Sequence, residues 1–64
     1  MKLEEAIRYY ESALVDMQQA GADNSQRMQI RAMLLRAYEI QAILSPDVSF
    51  IVHCYRFILR YRLL

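Results

Sequence analysis

Residues 45–61 read SPDVSFIVHCYRFILRY, and whether they wind as a helix or run as a strand sets the architecture. The stretch opens on Ser45-Pro46-Asp47, which has the chemistry of a helix start. Proline suits the first helical position, because its fixed φ fits the helix and its missing N–H is no loss there. Serine before it offers a capping oxygen, and aspartate after it suits the positive end of the helix dipole. The pattern predicts a third helix over 46–61, capped by Ser45. The β-branched Val48, Ile51 and Val52 and the nearby aromatics also permit a strand. A half-buried strand requires alternation, however, and Phe50-Ile51-Val52 does not alternate.

Wound as a helix, this stretch sorts its side chains by direction. Ser49, His53, Arg56 and Arg60 follow one another at four, three and four residues and form one polar ridge. Val48, Ile51, Val52, Tyr55 and Leu59 lie on one flank of it, and Phe50, Cys54, Phe57 and Tyr61 on the other. The chain has 64 residues. Domains of this size bury only roughly 60% of the surface of the unfolded chain. Both flanks can hardly be buried, so one is expected to meet something outside the chain.

Upstream, residues 25–44 are apolar around most of a helical circumference, from Met28 and Ile30 through Met33, Leu34, Leu35, Ala37, Tyr38 and Ile40 to Ile43 and Leu44. A helix of that kind is usually packed on two sides, so this one is read as central. Asp23, Asn24 or Ser25 can each cap its start. Before it, residues 2–20 carry a clean stripe: Leu3, Ala6, Ile7, Tyr10, Ala13, Leu14 and Met17. Glu4, Arg8, Glu11, Ser12 and Asp16 fall elsewhere, and Glu4 stands four residues before Arg8, the favourable order for a surface ion pair. Gly21 ends this helix through the left-handed geometry of a C-terminal cap. Gly21 and Pro46 are the only Gly and Pro. Two such marks divide a chain into three helices, whereas a strand protein needs many more turns. The expectation is an all-α fold, an antiparallel helical hairpin with a third packed helix, forming a single domain over 1–64.

Composition narrows the function. The hydrophobic fraction is 56%, which implies a tight core or an apolar surface that meets a partner. A single cysteine, Cys54, makes no internal disulfide, and with a single histidine it does not complete the four ligands of structural zinc. The lone cysteine and a charged N-terminus without an apolar core point to the cytoplasm. Up to Asn24, five acids face Lys2 and Arg8; from Ser25 on, six arginines face Glu39 and Asp47, leaving the front near −3 and the back near +4. That asymmetry is too weak to indicate nucleic acid.

The run Glu4-Glu5-Ala6-Ile7-Arg8-Tyr9-Tyr10-Glu11-Ser12-Ala13-Leu14 resembles the second helix of a tetratricopeptide (TPR) repeat, with Ala6, Tyr10 and Ala13 at that family's small and aromatic positions. Ala32, Leu34, Ala37 and Tyr38 look like the first helix of a following repeat, although Leu35 stands where the family has Gly or Ala. The same stretch resembles the three-helix MIT (microtubule interacting and trafficking) domain. Here the end departs, since Gln41-Ala42-Ile43 keeps only the alanine of its closing motif. Either resemblance implies a scaffold holding a peptide or helix in a groove. On that reading Arg8, Ser12, Arg31 and Tyr38 are candidate polar contacts. A single helical pair cannot bury its own apolar face. It must be closed by its own third helix or stack on another copy or a larger protein.

No catalytic or cofactor pattern emerges. His53 and Cys54 are helical neighbours and do not face each other. Glu4, Glu5 and Glu11 read as a solvated face, and one glycine makes no phosphate loop. The basic ridge Arg56, Arg60 and Arg62 has three readings: a solvated edge, a protein interface, or a face lying on a membrane surface. The resulting expectation is a non-catalytic scaffold that binds a protein or peptide or self-associates as a homo-oligomer, needing no cofactor or metal. The alternative is a peripheral membrane-surface anchor through the third helix.

Overall fold

Leu3, Ile7 and Leu14 recur at four and seven residues, so a helix brings all three to one side. In the computed structural model, which describes residues 3–64, they are buried on α1 (Leu3–Ala20). The expected start at Lys2 lies outside the described residues. Gly21 closes the helix at φ +70°, with the Ala22 N–H donating to the Met17 carbonyl at 2.9 Å. This is the six-to-one bond of a glycine-terminated helix. A Cβ at Gly21 would meet open space. Gly21→Ala is therefore expected to cost about 1–2 kcal/mol, all of it backbone strain. A urea titration should show a lower midpoint with an unchanged slope.

α2 (Asn24–Leu44) starts at Asp23, whose carboxylate accepts from the Gln26 N–H at 3.0 Å and from the Ser25 hydroxyl at 2.9 Å. Those two donors hold the Asp23 carboxyl below its ordinary range. The three-residue turn folds α2 back along α1 as an antiparallel hairpin, and α3 (Val48–Tyr61) packs on it. The fold is all-α, with no strand among the described residues.

Two expectations need correction. Ser45 does not cap α3. Its N–H still donates to the Gln41 carbonyl at 2.8 Å, so it finishes α2, and Asp47 caps α3 by accepting from the Ser49 N–H at 2.9 Å. Pro46 lies in the linker, and the helix starts two residues late because the serine is already in use. The central helix is also less covered than its composition implied. α2 touches both other helices, but α3 crosses it over a short stretch, and Met28, Met33, Ile43 and Leu44 stay exposed.

The core consists of Leu3, Ile7, Leu14, Leu34, Ala37, Tyr38 and Leu63. Phe50, Cys54, Phe57, Ile58 and Tyr61 pack against it from α3. Leu63 reaches it because the chain turns sharply at Arg62, which holds φ 54° and ψ 55°. The Leu63 N–H then donates to the Ile58 carbonyl at 3.0 Å, and its side chain folds under the helix end.

Candidate functional site

Of the acidic residues on α1, one turns to its inner side. Glu11 stands four residues after Ile7 and three before Leu14, so a helix must turn it toward the hairpin. Its side chain is only 13% exposed, and Oε2 accepts from the Tyr38 hydroxyl of α2 and from His53 Nε2 of α3 at 2.7 Å. A carboxylate oxygen only accepts, so His53 Nε2 carries hydrogen. All three helices therefore meet on one oxygen. Burial, reinforced by the hydrogen bond to Glu11 and its charge, pushes the Tyr38 hydroxyl well above the usual phenol range. Burial first, and the Glu11 charge second, push the Cys54 thiol up to about 11. Cys54 is thus a protonated thiol at neutral pH, not a thiolate nucleophile.

This junction overturns two sequence readings. Glu11 is not part of a solvated acidic face; it is the tie between the helices. Tyr38 is not a surface contact for a partner, since it is 5% exposed and its hydroxyl is engaged by Glu11. The expected Glu4–Arg8 ion pair is not formed either: among the described residues, the one arginine–carboxylate pair is Arg36–Glu39. Glu4 and Arg8 instead line a shallow groove of about 260 Å³ with Ile7, Glu11, Phe50 and His53. Ser12 is exposed on α1 and takes no part in that groove.

α3 shows which flank is left open. Phe50, Cys54, Phe57 and Tyr61 turn inward; Tyr38 and Phe50 meet edge to face at 6.0 Å, and the Phe57 and Tyr61 rings lie 4.5 Å apart. The other flank, Val48, Ile51, Val52, Tyr55 and Leu59, faces outward, with exposures from 42% at Val52 to 76% at Val48. Arg56 and Arg60 border this apolar strip, and Arg62 ends it. Ile43 and Leu44, just ahead in the chain, are exposed as well. Exposed leucines scattered singly are ordinary; a continuous apolar strip along a helix marks a surface that meets something.

Arg31, Arg60 and Arg62, singled out separately from the sequence, come together. With Arg27 they line one cleft of about 320 Å³ between the start of α2 and the end of α3. Arg56 is exposed and does not join them. Sequence reasoning missed Arg27, although its spacing of four from Arg31 places both on one helix face. It also missed Glu11, whose place at the edge of the α1 stripe, four residues after Ile7 and three before Leu14, was the available signal. Among the described residues no group of His, Cys, Asp and Glu is placed to hold a metal ion. No described helix is long and apolar enough to cross a membrane. No family model, curated protein or solved structure matches the chain.

Proposed function

We propose that this chain is a non-catalytic protein-interaction module that works through the outward face of α3, and that the helix it docks is α3 of a second copy. The observation that carries this reading is the exposed strip of Val48, Ile51, Val52, Tyr55 and Leu59 on a helix whose opposite side is packed. The strip is self-complementary. Val48, Val52, Tyr55 and Leu59 follow at four, three and four residues, the alternation that seams paired helices. In an antiparallel pair centred between His53 and Cys54, Val48 meets Leu59 of the second copy and Val52 meets its Tyr55. Each contact then joins a small β-branched side chain to a larger one. The same arrangement lays the end of α3 that carries Arg60 and Arg62 over the end that carries Asp47, and it opposes the two helix dipoles. A two-fold interface uses one patch twice in this way.

A helix of 14 residues is roughly 21 Å long, so the contact stays below the roughly 1,200–2,000 Å² of a standard interface. Association is therefore expected to be reversible, with a dissociation constant in the micromolar range or weaker. Sedimentation equilibrium should show a monomer–dimer equilibrium for the parent chain and only monomer for Val52→Asp, with unchanged helical circular dichroism because Val52 is exposed. A parent chain that stays monomeric at millimolar concentration would remove the second copy as partner. The scaffold role is the one both family resemblances imply, and the cytoplasm is the compartment proposed for it from the lone cysteine.

The arginines bordering the strip favour one second reading, a helix lying on an anionic membrane surface. Co-sedimentation with vesicles that rises with lipid charge and is lost in Arg56→Glu plus Arg60→Glu would support it over self-association.

A further inference from the structure

The cleft between the start of α2 and the end of α3 is lined by Arg27, Arg31, Arg60 and Arg62, with Gln18 and Asn24 beside them. No carboxylate lines it. Among the described residues, none of the four arginines has an acid within 4.0 Å, whereas Arg36 does. The nearest acid in sequence, Asp23, spends its carboxylate on Gln26 and Ser25 at the α2 cap. Like charges gathered in one concavity repel one another, and no acid offsets that repulsion; Arg60 has the Tyr61 ring as a neighbour, 5.8 Å from its guanidinium. Arg62 adds to the cost, since it holds a left-handed backbone that favours glycine. Simple solvation does not require this gathering, for Arg8 and Arg56 are exposed without joining it.

We propose that this cleft is a binding site for a multiply charged phosphate group, a pyrophosphate or a cluster of phosphomonoesters. Guanidinium forks match phosphate oxygens two at a time, and four of them suit a ligand carrying more than one negative charge. The volume of about 320 Å³ sits at the small end of ligand clefts, which span roughly 300–1,000 Å³. Two amide side chains, Gln18 and Asn24, offer further donors, while Leu14, Met28, Tyr61 and Leu63 form the floor and walls. None of the outward apolar strip on α3 lines the cleft, although Arg60 and Arg62 of the cleft also lie at the end of the association surface. The same phosphate chemistry occurs in soluble polyphosphates and in phosphorylated lipid headgroups.

The test is calorimetric titration of the full chain with pyrophosphate at low ionic strength. Saturable one-to-one binding is expected, weakened at least tenfold in Arg31→Gln and in Arg62→Gln, and unchanged in Arg8→Gln, which lies outside the cleft. Thermal melts supply a second readout. Without anion the two cleft variants should melt at or above the parent temperature, because repulsion is relieved; with pyrophosphate only the parent and Arg8→Gln should gain. Non-saturating binding, or equal weakening by Arg8→Gln, would overturn the site. Should one cleft variant fail to fold, Arg60→Gln, on an exposed position, takes its place. Vesicles of phosphatidylcholine with phosphatidylinositol bisphosphate, set against phosphatidylserine vesicles of equal charge, separate the sources. Selective capture of the former assigns a lipid headgroup, and pyrophosphate binding without that selectivity assigns a soluble polyphosphate.

Discussion

Leu34→Ala is expected to leave the chain largely unfolded at room temperature. Among the described residues, Leu34 is the one side chain with no exposed surface, within the core that α1, α2 and the inner side of α3 cover. Truncating a buried leucine costs about 2–5 kcal/mol, because the transfer energy is lost and a cavity remains. At roughly 0.05–0.15 kcal/mol per residue, a chain this short has about 3–10 kcal/mol in total. The penalty therefore takes up most of the lower part of that range. Far-UV circular dichroism against urea should show a midpoint near or below zero denaturant for Leu34→Ala. Leu59→Ala, at an exposed position on α3, should stay within about 0.5 kcal/mol of the parent at concentrations where the chain is monomeric. Equal effects at the two positions would mean that α3 is packed the other way round.

That contrast depends on something the sequence left open. The two flanks of α3 are both apolar and both rich in large side chains, so hydrophobicity alone does not say which one turns inward. The helices themselves were legible, because stripe spacing, Gly21 and the run of cap candidates Asp23, Asn24 and Ser25 are local signals. The α3 start was misplaced for a local reason too: Ser45 and Asp47 are both good caps, and only the bond from the Ser45 N–H to Gln41 shows that the serine belongs to α2. Choosing the flank is a tertiary matter. Phe50 turns in because its ring finds the edge of Tyr38, and Cys54 because it is small enough to let α3 approach the hairpin. Val48 and Leu59, with comparable burial energy to gain, have no such neighbour. The arginine cleft was partly legible: Arg31, Arg60 and Arg62 each stood out, but the crossing of α3 over the α2 start brings them together, and no spacing rule contains that crossing.

The second large effect concerns alkaline pH. Tyr38 and Cys54 both release a proton to become charged, and both titrate higher in the folded chain than in the unfolded one. For Cys54 the window opens at the ordinary thiol value of 9.0 and closes at about 11; for Tyr38 it opens at 10.0 and extends upward. Inside each window the unfolded chain has lost its proton and the folded chain has kept it, so raising the pH favours unfolding. The stabilising contribution is fully present below pH 9.0 and is lost as pH climbs. Each group contributes a slope of at most about 1.4 kcal/mol per pH unit, less for Cys54, which water partly screens. The urea midpoint should be flat approaching pH 9.0, fall above it, and fall more steeply above 10.0. Cys54→Ser should remove the first part of the fall. Tyr38→Phe should remove the second, while lowering the neutral-pH midpoint because Glu11 loses one of its two donors at the junction. A midpoint in Tyr38→Phe that still steepens above 10.0 would place the alkaline weakness outside the junction and leave Glu11 as a local tie between α1 and α3.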